Sequence, residues 1–149
     1  MTKAPEQIYA TCISIDGKGV LIRGASGSGK SDLALRLIDD GAELVSDDRV
    51  DLAIDNGALL AAPPETIAGL FEVRGVGILR MVYRQKVPVH LVIDLQEKNS
   101  TERLPEPETV SLFGHPVPCL KLFAFEASAP AKVRLALRLS NGDIMGVDD

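Results

Sequence analysis

Short apolar runs separated by turn residues alternate along most of this chain. Residues 11–15 and 19–22 are two such runs, and the Asp-Gly pair between them is a strong signal for a tight β-hairpin turn. The same pattern predicts two further hairpins, one joining residues 50–54 to 58–62 and one joining residues 109–113 to 116–122. The chain is therefore predicted to be rich in antiparallel strand pairs.

Helical periodicity is confined to a few segments. In residues 32–40, Leu33, Leu37 and Ile38 fall on one helical face, and Gly41 stands where a C-cap glycine is expected. The remaining predicted elements are a short helix over 65–71, a helix over 131–139 opened by Pro130, strands over 42–46, 78–83 and 87–95, and loops over 72–77 and 96–108. Hairpins thus outnumber strand–helix–strand crossovers, which favours a mixed, strand-rich α/β core over the parallel sheet of an ordinary nucleoside kinase.

Composition and charge narrow the class of protein. A length of 149 residues predicts one domain, and 46% hydrophobic residues with only 4% aromatics predict an aliphatic core. The beginning of the sequence lacks a signal-peptide pattern and no apolar stretch approaches 18 residues, so a membrane span is not expected. Two cysteines, Cys12 and Cys119, predict buried thiols in a reducing cytoplasm rather than a disulfide framework. The net charge of −5 argues against nucleic acid as a partner.

A phosphate-loop pattern joins the second apolar run to the first helix. The sequence GASGSGKS satisfies G-x-x-x-x-G-K-[ST] at every fixed position, with strand, loop and helix in the required order. Backbone N–H groups of such a loop cradle phosphates, its lysine reaches the β- and γ-phosphates, and its serine can bind Mg²⁺. The residues predicted to bind nucleotide are Gly24, Ala25, Ser26, Gly27, Ser28, Gly29, Lys30 and Ser31.

Two acidic residues, Asp47 and Asp48, follow the predicted strand over 42–46. An aspartate at a strand end beside a phosphate loop is the usual second anchor for Mg²⁺. Two adjacent aspartates permit a division of labour, in which one faces the metal and the other accepts a hydroxyl proton. The alternative is a solvated acidic turn.

A third motif, EVRGVG, occupies residues 72–77. Its two glycines let the backbone approach another group closely. The flanking Glu72 and Arg74 offer a metal ligand and a phosphate or protein contact. Taken by itself, this motif also fits an ordinary structural turn.

These three motifs, in this order and spacing, resemble the bacterial HPr kinase/phosphorylase family. The resemblance runs from Tyr9 to about Lys121, and it implies that the chain corresponds to the family's C-terminal catalytic domain without the usual N-terminal domain. It implies a fold related to phosphoenolpyruvate carboxykinase. It also implies an ATP- and Mg²⁺-dependent serine kinase acting on HPr, the phosphocarrier of the sugar phosphotransferase system, or on its nitrogen-related paralogue. Many members also remove the phosphate by attack of inorganic phosphate.

The resemblance also implies roles for individual residues. Lys30 matches a catalytic lysine, and Asp47 matches the proton acceptor of the kinase reaction. Ser31 and Glu72 match Mg²⁺ ligands, and Asp48, beside Asp47, is assigned to the metal as well. Arg103, in the predicted loop over 96–108, matches a catalytic arginine that contacts phosphate.

Two departures from the family pattern concern the reverse reaction. Tyr9 stands where the family carries a catalytic histidine, and a phenol with a pKa near 10 cannot relay protons near pH 7 as an imidazole does. We expect Tyr9 at most to hold Asp47 by a hydrogen bond. Residues 127–130 replace the family's Gly-Arg-Asn segment. Both changes predict a kinase with weak phosphorolysis.

Two rival functions remain open from the sequence. One is a small-molecule phosphotransferase on a carboxykinase-like fold, although no separate basic cluster is present. The other is a nucleotide-responsive binding module without catalysis, which Tyr9 supports and the intact phosphate loop opposes. A homo-oligomer is a further expectation, because full-length relatives assemble as hexamers.

Overall fold

The computed structural model describes residues 5–147, which form eleven β-strands and two α-helices. The strands of the first half are β1 Glu6–Tyr9, β2 Thr11–Ile15, β3 Lys18–Arg23, β4 Glu43–Ser46, β5 Arg49–Asp55 and β6 Ala58–Ala62. Those of the second half are β7 Leu70–Val73, β8 Gly77–Arg80, β9 Val87–Leu95, β10 Glu108–Leu112 and β11 His115–Leu122. The helices are α1 Lys30–Asp39 and α2 Ala129–Ser140. Neither helix is long and apolar enough to cross a membrane among the described residues.

One large mixed sheet organises the chain. Its strands run in the order β1-β5-β6-β9-β3-β2-β4, with β11 also beside β9 and β10 beyond β11. The pairs of β9 with β3 and with β11 are parallel, and the other pairs in this sheet are antiparallel. Strand β9 pairs with β6 only at its beginning and with β11 only over its second half. The sheet therefore divides into two branches along β9. Strands β7 and β8 form a separate hairpin.

Two hydrophobic clusters lie on opposite faces of the central strands. Alternation along β3 sends Val20 and Ile22 into the cluster beneath α1 and α2, whereas Leu21 joins the cluster beneath β5 and β6. Helix α1 buries Leu33 and Leu37 in the first cluster. Because α1 is held against the sheet in this way, the loop between β3 and α1 is fixed at both ends.

The three predicted hairpins are confirmed, as are the strand over 87–95 and both longer helices, within two residues at their ends. The mixed, strand-rich α/β fold class is also confirmed. The region after Pro64 was predicted wrongly: the helix expected over 65–71 is a single 3-10 turn at Glu65–Ile67, followed by β7.

Local geometry explains this error. Gly69 has φ +79, and a Cβ there would lie 3.0 Å from the Tyr83 ring, so the chain turns sharply at a position that only glycine tolerates easily. The glycine-rich segment over 72–77 is then part of a hairpin rather than a loop, since its first residues complete β7 and its last begins β8. The strand expected over 78–83 ends at Arg80.

Strand β1 was missed by the sequence analysis. Its side chains are exposed except for Ile8, so no alternation of apolar and polar residues marks it. The strand exists because its backbone pairs with β5, in a register that places Tyr9 opposite Arg49.

Candidate active site

The phosphate loop is a glycine-dependent turn between β3 and α1. Gly27 and Gly29 have φ values of +82 and +102, where residues with a Cβ are strained. A Cβ on Gly29 would also lie 2.8 Å from the Ala124 Cβ and 2.9 Å from the Phe125 Cζ. The first turn of α1 leaves backbone N–H groups without intrahelical acceptors, and the positive end of the helix dipole lies at the same place. The loop therefore offers a preformed anion site.

Lys30 lies across the beginning of this loop. Its Nζ donates hydrogen bonds to the carbonyl oxygens of Gly24 at 2.8 Å and Ala25 at 3.2 Å. An ammonium group carries three donors, so one remains to contact phosphate in this position. The loop thus holds its lysine in place through its own backbone.

A hydrogen-bonded chain of side chains connects α1 to the end of β4. The Ser31 hydroxyl donates to Asp47 Oδ1 at 2.7 Å, and the Thr11 hydroxyl donates to the same oxygen at 3.0 Å. Thr11 Oγ1 in turn accepts the Asp48 backbone N–H at 3.3 Å. Asp47 is thereby held against Ser31, one of the residues that the sequence analysis assigned to Mg²⁺.

Asp47 and Asp48 lie in different surroundings. Asp48 has φ +70, and the backbone N–H of Arg49 donates to the carbonyl oxygen of Asp47 at 2.8 Å, so the chain turns tightly as β4 ends. Asp47 is half-buried beneath Ser31, whereas Asp48 is exposed and lines the cavity next to the phosphate loop. The two carboxylates therefore differ in burial and in their access to the cavity.

An open cavity of about 360 Å³ lies beside the phosphate loop. Four predicted site residues contribute to its wall: Lys30, Ser31, Asp48 and Glu72. The rest of the wall comes from the phosphate loop, the first turns of α1, β7 with the residue after it, and Phe125.

Three predicted catalytic residues do not line this cavity: Asp47, Arg103 and Tyr9. Asp47 is joined to the cavity wall by its hydrogen bond from Ser31. Arg103 lines a second cavity of about 640 Å³, which adjoins the first through the shared residue Phe125. The side chain of Tyr9 is 79% exposed. The hydrogen bond to Asp47 that we considered for Tyr9 is not found among the described residues, because Thr11, two residues further on, is the one whose hydroxyl reaches Asp47.

Arg36 is a site residue that the sequence analysis missed. It lies one helical turn after Asp32, with which it forms an ion pair at 3.0 Å. Its guanidinium also donates to the carbonyl oxygens of Ala124 and, at 3.2 Å, Glu126. The segment that carries Phe125 is thus attached to the phosphate-loop helix. The acid–base spacing of four residues was visible in the sequence, but its long-range carbonyl partners were not.

A second missed feature anchors the start of the loop. Arg23, which immediately precedes Gly24, makes a two-point ion pair with Asp94 on β9, with N–O distances of 2.8 and 2.9 Å. Burial alone would raise the pKa of Asp94, but the hydrogen bond and charge of Arg23 outweigh it and bring the pKa below its usual value. The Cys119 thiol donates to Asp94 at 3.3 Å, and burial together with the Asp94 charge raises the Cys119 pKa to about 12. Cys119 is therefore protonated at neutral pH.

The residues present fit both a nucleotide and Mg²⁺. The Ser28 hydroxyl within the loop is buried without a hydrogen-bond partner in the described part of the chain. Between residues 5 and 147 no group of three His, Cys, Asp or Glu side chains could hold a metal by itself. Mg²⁺ is commonly held by one or two protein oxygens together with substrate phosphates, and Ser31, Asp48 and Glu72 supply such oxygens around one cavity.

Comparisons with known proteins identify relatives of this chain. The family model described as "HPr Serine kinase C-terminal domain" matches residues 2–132. An HPr kinase/phosphorylase of Acidovorax sp. (strain JS42) is 42% identical over 123 residues, which cover 74% of this chain and 39% of that protein. One of Clostridium botulinum (strain Eklund 17B / Type B) is 43% identical over 77 residues, covering 51% of this chain and 25% of that protein. This chain therefore spans about a quarter to two fifths of the length of these curated relatives.

A solved structure is similar over nearly the whole chain. The Hpr(Ser) kinase/phosphatase from Coxiella burnetii matches with a TM-score of 0.81 and 29% identity, covering 93% of this chain and 92% of that chain. This likeness confirms the expected carboxykinase-related phosphate-loop fold. Because the family model covers most of the sequence, the chain belongs to the HPr serine kinase C-terminal domain family.

Proposed function

We propose that this chain is an ATP-dependent protein-serine kinase whose substrate is an HPr-type phosphocarrier. The observation that carries the proposal is the hydrogen bond of 2.7 Å between Ser31 and Asp47, which joins the phosphate loop to the acidic end of β4. A phosphate loop and an acid in this relation are the recurring parts of phosphoryl-transfer sites. Family membership supports the same activity.

The phosphate loop supplies positioning and positive charge. Backbone N–H groups of the loop bind the phosphates, and the Lys30 ammonium neutralises charge on them. Ser31 together with Asp48 or Glu72 would hold Mg²⁺, which would supply further neutralisation of the phosphate oxygens. Phosphoryl transfer depends mainly on such positioning and electrostatic stabilisation, so few other catalytic groups are required.

Asp47 is the group that we assign to accept the proton of the substrate serine. Both of its hydrogen bonds from side chains, those of Ser31 and Thr11, involve Oδ1. Among the described contacts, Oδ2 is thus the oxygen left to take a proton. Thr11 acts as a positioning residue, because it is fully buried and its hydroxyl donates to Asp47.

These contacts also support a preferred direction of the reaction. Phosphorolysis requires a protonated acid to donate to the leaving serine oxygen, a step that benefits from a neighbour titrating near neutral pH. Tyr9 is exposed and Thr11 does not titrate, so neither assists Asp47 in this way. We therefore propose a kinase with weak phosphorolysis.

The destination of the γ-phosphate tests this function. Labelled ATP and Mg²⁺ are incubated with the chain and either a purified HPr-type protein or a mixture of small phosphate acceptors. The proposal predicts label on a serine of the carrier. Label on a small acceptor would indicate a small-molecule phosphotransferase, and tight ATP binding without any transfer would indicate a binding module.

A further inference from the structure

The wall of the cavity beside the phosphate loop combines two kinds of surface. The polar surface comes from Ser26, Gly27 and Gly29 to Ser31, which present backbone N–H groups, hydroxyls and the Lys30 ammonium. The apolar surface comes from Leu35, Phe71, Val73 and Phe125. Phosphate groups gain nothing from apolar contacts, so these side chains are available to another part of the same ligand.

Phe125 is the exposed aromatic ring of this wall. Phe71 is almost fully buried at 1% exposure, whereas Phe125 is 55% exposed. The Phe125 ring packs edge-to-face against Phe123, with centroids 5.8 Å apart and planes at 73°. It also lies directly against Gly29, where a Cβ would come within 2.9 Å of its Cζ.

The position of this ring is set by the helix that follows the phosphate loop. Arg36 on α1 donates to the carbonyl oxygens of Ala124 and Glu126, the two residues that flank Phe125. Arg36 also pairs with Asp32, a residue that lines the same cavity. The ring and the phosphate loop are therefore held in a fixed relation at two points, through Gly29 and through Arg36.

We propose that Phe125 is the stacking surface for the nucleobase of the bound nucleoside triphosphate, and that Arg36 is the positioning residue that holds this surface. The inference rests on the proposed function, because it assumes that the phosphate loop binds a nucleotide. With the phosphates held at Ser26 to Ser31, the nucleoside must lie close by, and the apolar wall of the same cavity lies there. Bases stack well on aromatic rings because every base has a π face.

A single tryptophan provides a direct reporter of stacking, because the chain contains no tryptophan. In a Phe125→Trp variant, ATP with Mg²⁺ is expected to quench the fluorescence in a saturable way. Inorganic tripolyphosphate, which has the phosphates but no base, is expected to reverse this quenching by competition without causing quenching itself. Phe113→Trp is the matched control, since Phe113 is 45% exposed and lines neither cavity, and it should respond to neither ligand.

Affinities measured by calorimetry complete the test. Phe125→Ala is expected to weaken ATP binding about tenfold and to leave tripolyphosphate binding within about twofold of wild type. Phe113→Ala should change neither affinity. Arg36→Met should reproduce the selective loss of ATP affinity in part, since the ring would no longer be held.

Results that would overturn the stacking assignment alone differ from results that would also overturn the proposed function. If wild type binds both ligands and Phe125→Ala weakens them equally or not at all, the stacking assignment is wrong and the proposed function stands. If Phe125→Ala changes only the KM for the carrier protein, the ring serves the second cavity and the assignment is again wrong. If wild type binds neither ligand, both the proposed function and this inference are overturned.

Discussion

The Ser31 hydroxyl donates a hydrogen bond of 2.7 Å to Asp47 Oδ1, across the gap between α1 and the end of β4. This contact brings together two motifs that are sixteen positions apart in the sequence. It exists because β3 and β4 both pair with β2, which places the phosphate loop and the acidic turn at the same edge of the sheet. Asp47 makes this contact, whereas Asp48 lines the cavity, and the difference between the two aspartates can be tested directly.

We expect Asp47→Asn and Asp48→Asn to affect different steps. Asparagine preserves shape and removes the base, so Asp47→Asn should lower kcat by a factor on the order of 10²–10⁴ with little change in ATP affinity. Asp48→Asn should instead weaken Mg²⁺-dependent ATP binding. Steady-state kinetics with separate binding measurements distinguish the two. The opposite pattern, in which Asp47→Asn abolishes nucleotide binding and Asp48→Asn abolishes turnover, would reverse the assignment.

Thr11→Val should impair turnover without unfolding the protein. Valine has nearly the same shape and Thr11 is fully buried, so the fold is retained, although the lost hydrogen bonds to Asp47 and Asp48 should lower the free energy of unfolding by about 1 kcal/mol. Asp47 would lose one of its two positioning contacts, and kcat should fall about tenfold with unchanged KM for ATP. Thr11→Ser, which keeps the hydroxyl, is the control and should restore kcat. Equal kcat for wild type and Thr11→Val would remove the positioning role.

The pair between Arg23 and Asp94 should make stability depend on pH in the acidic range. The folded-state pKa of Asp94 lies below its unfolded value of about 3.9, so the pair stabilises the fold above that value and the stabilisation is lost as the pH falls through the folded pKa. At pH 7, Asp94→Asn should lower the free energy of unfolding by about 1–2 kcal/mol. Denaturant titrations at several pH values should show the two proteins converging as the pH falls below about 4. A constant difference across that range would contradict the assignment.

How much of this arrangement is predictable from the sequence depends on the range of the interactions. The phosphate loop and the hairpins are local, so glycine spacing and turn residues suffice to predict them. The Thr11–Asp47 contact depends on how β2 and β4 pair, and the contacts from Arg36 to the segment around Phe125 connect residues about ninety positions apart. Strand β1 has no pattern of its own because only backbone pairing defines it. No local pattern reveals contacts of these kinds.

Phosphorolysis should be slow relative to the kinase reaction. The reaction is followed as release of pyrophosphate when serine-phosphorylated carrier is mixed with inorganic phosphate, and the rate is compared with forward transfer under the same conditions. Because the side chain that holds Asp47 is the Thr11 hydroxyl rather than an imidazole, and Tyr9 is exposed, the reverse rate should be well below the forward rate. Equal rates in the two directions would show that Asp47 needs no titrating neighbour.

The central claim, transfer of phosphate to a carrier serine by the Lys30–Ser31–Asp47 site, is tested most directly by mass spectrometry of the carrier. An HPr-type protein is incubated with ATP, Mg²⁺ and either wild type or Lys30→Ala, and the modified residue is mapped by fragmentation. The account predicts one phosphoserine with wild type and, because Lys30 supplies charge to the phosphates, a loss of at least about 10²-fold in rate with a folded Lys30→Ala protein. An unmodified carrier after incubation with ATP-bound wild type, or a rate unchanged by Lys30→Ala, would contradict it.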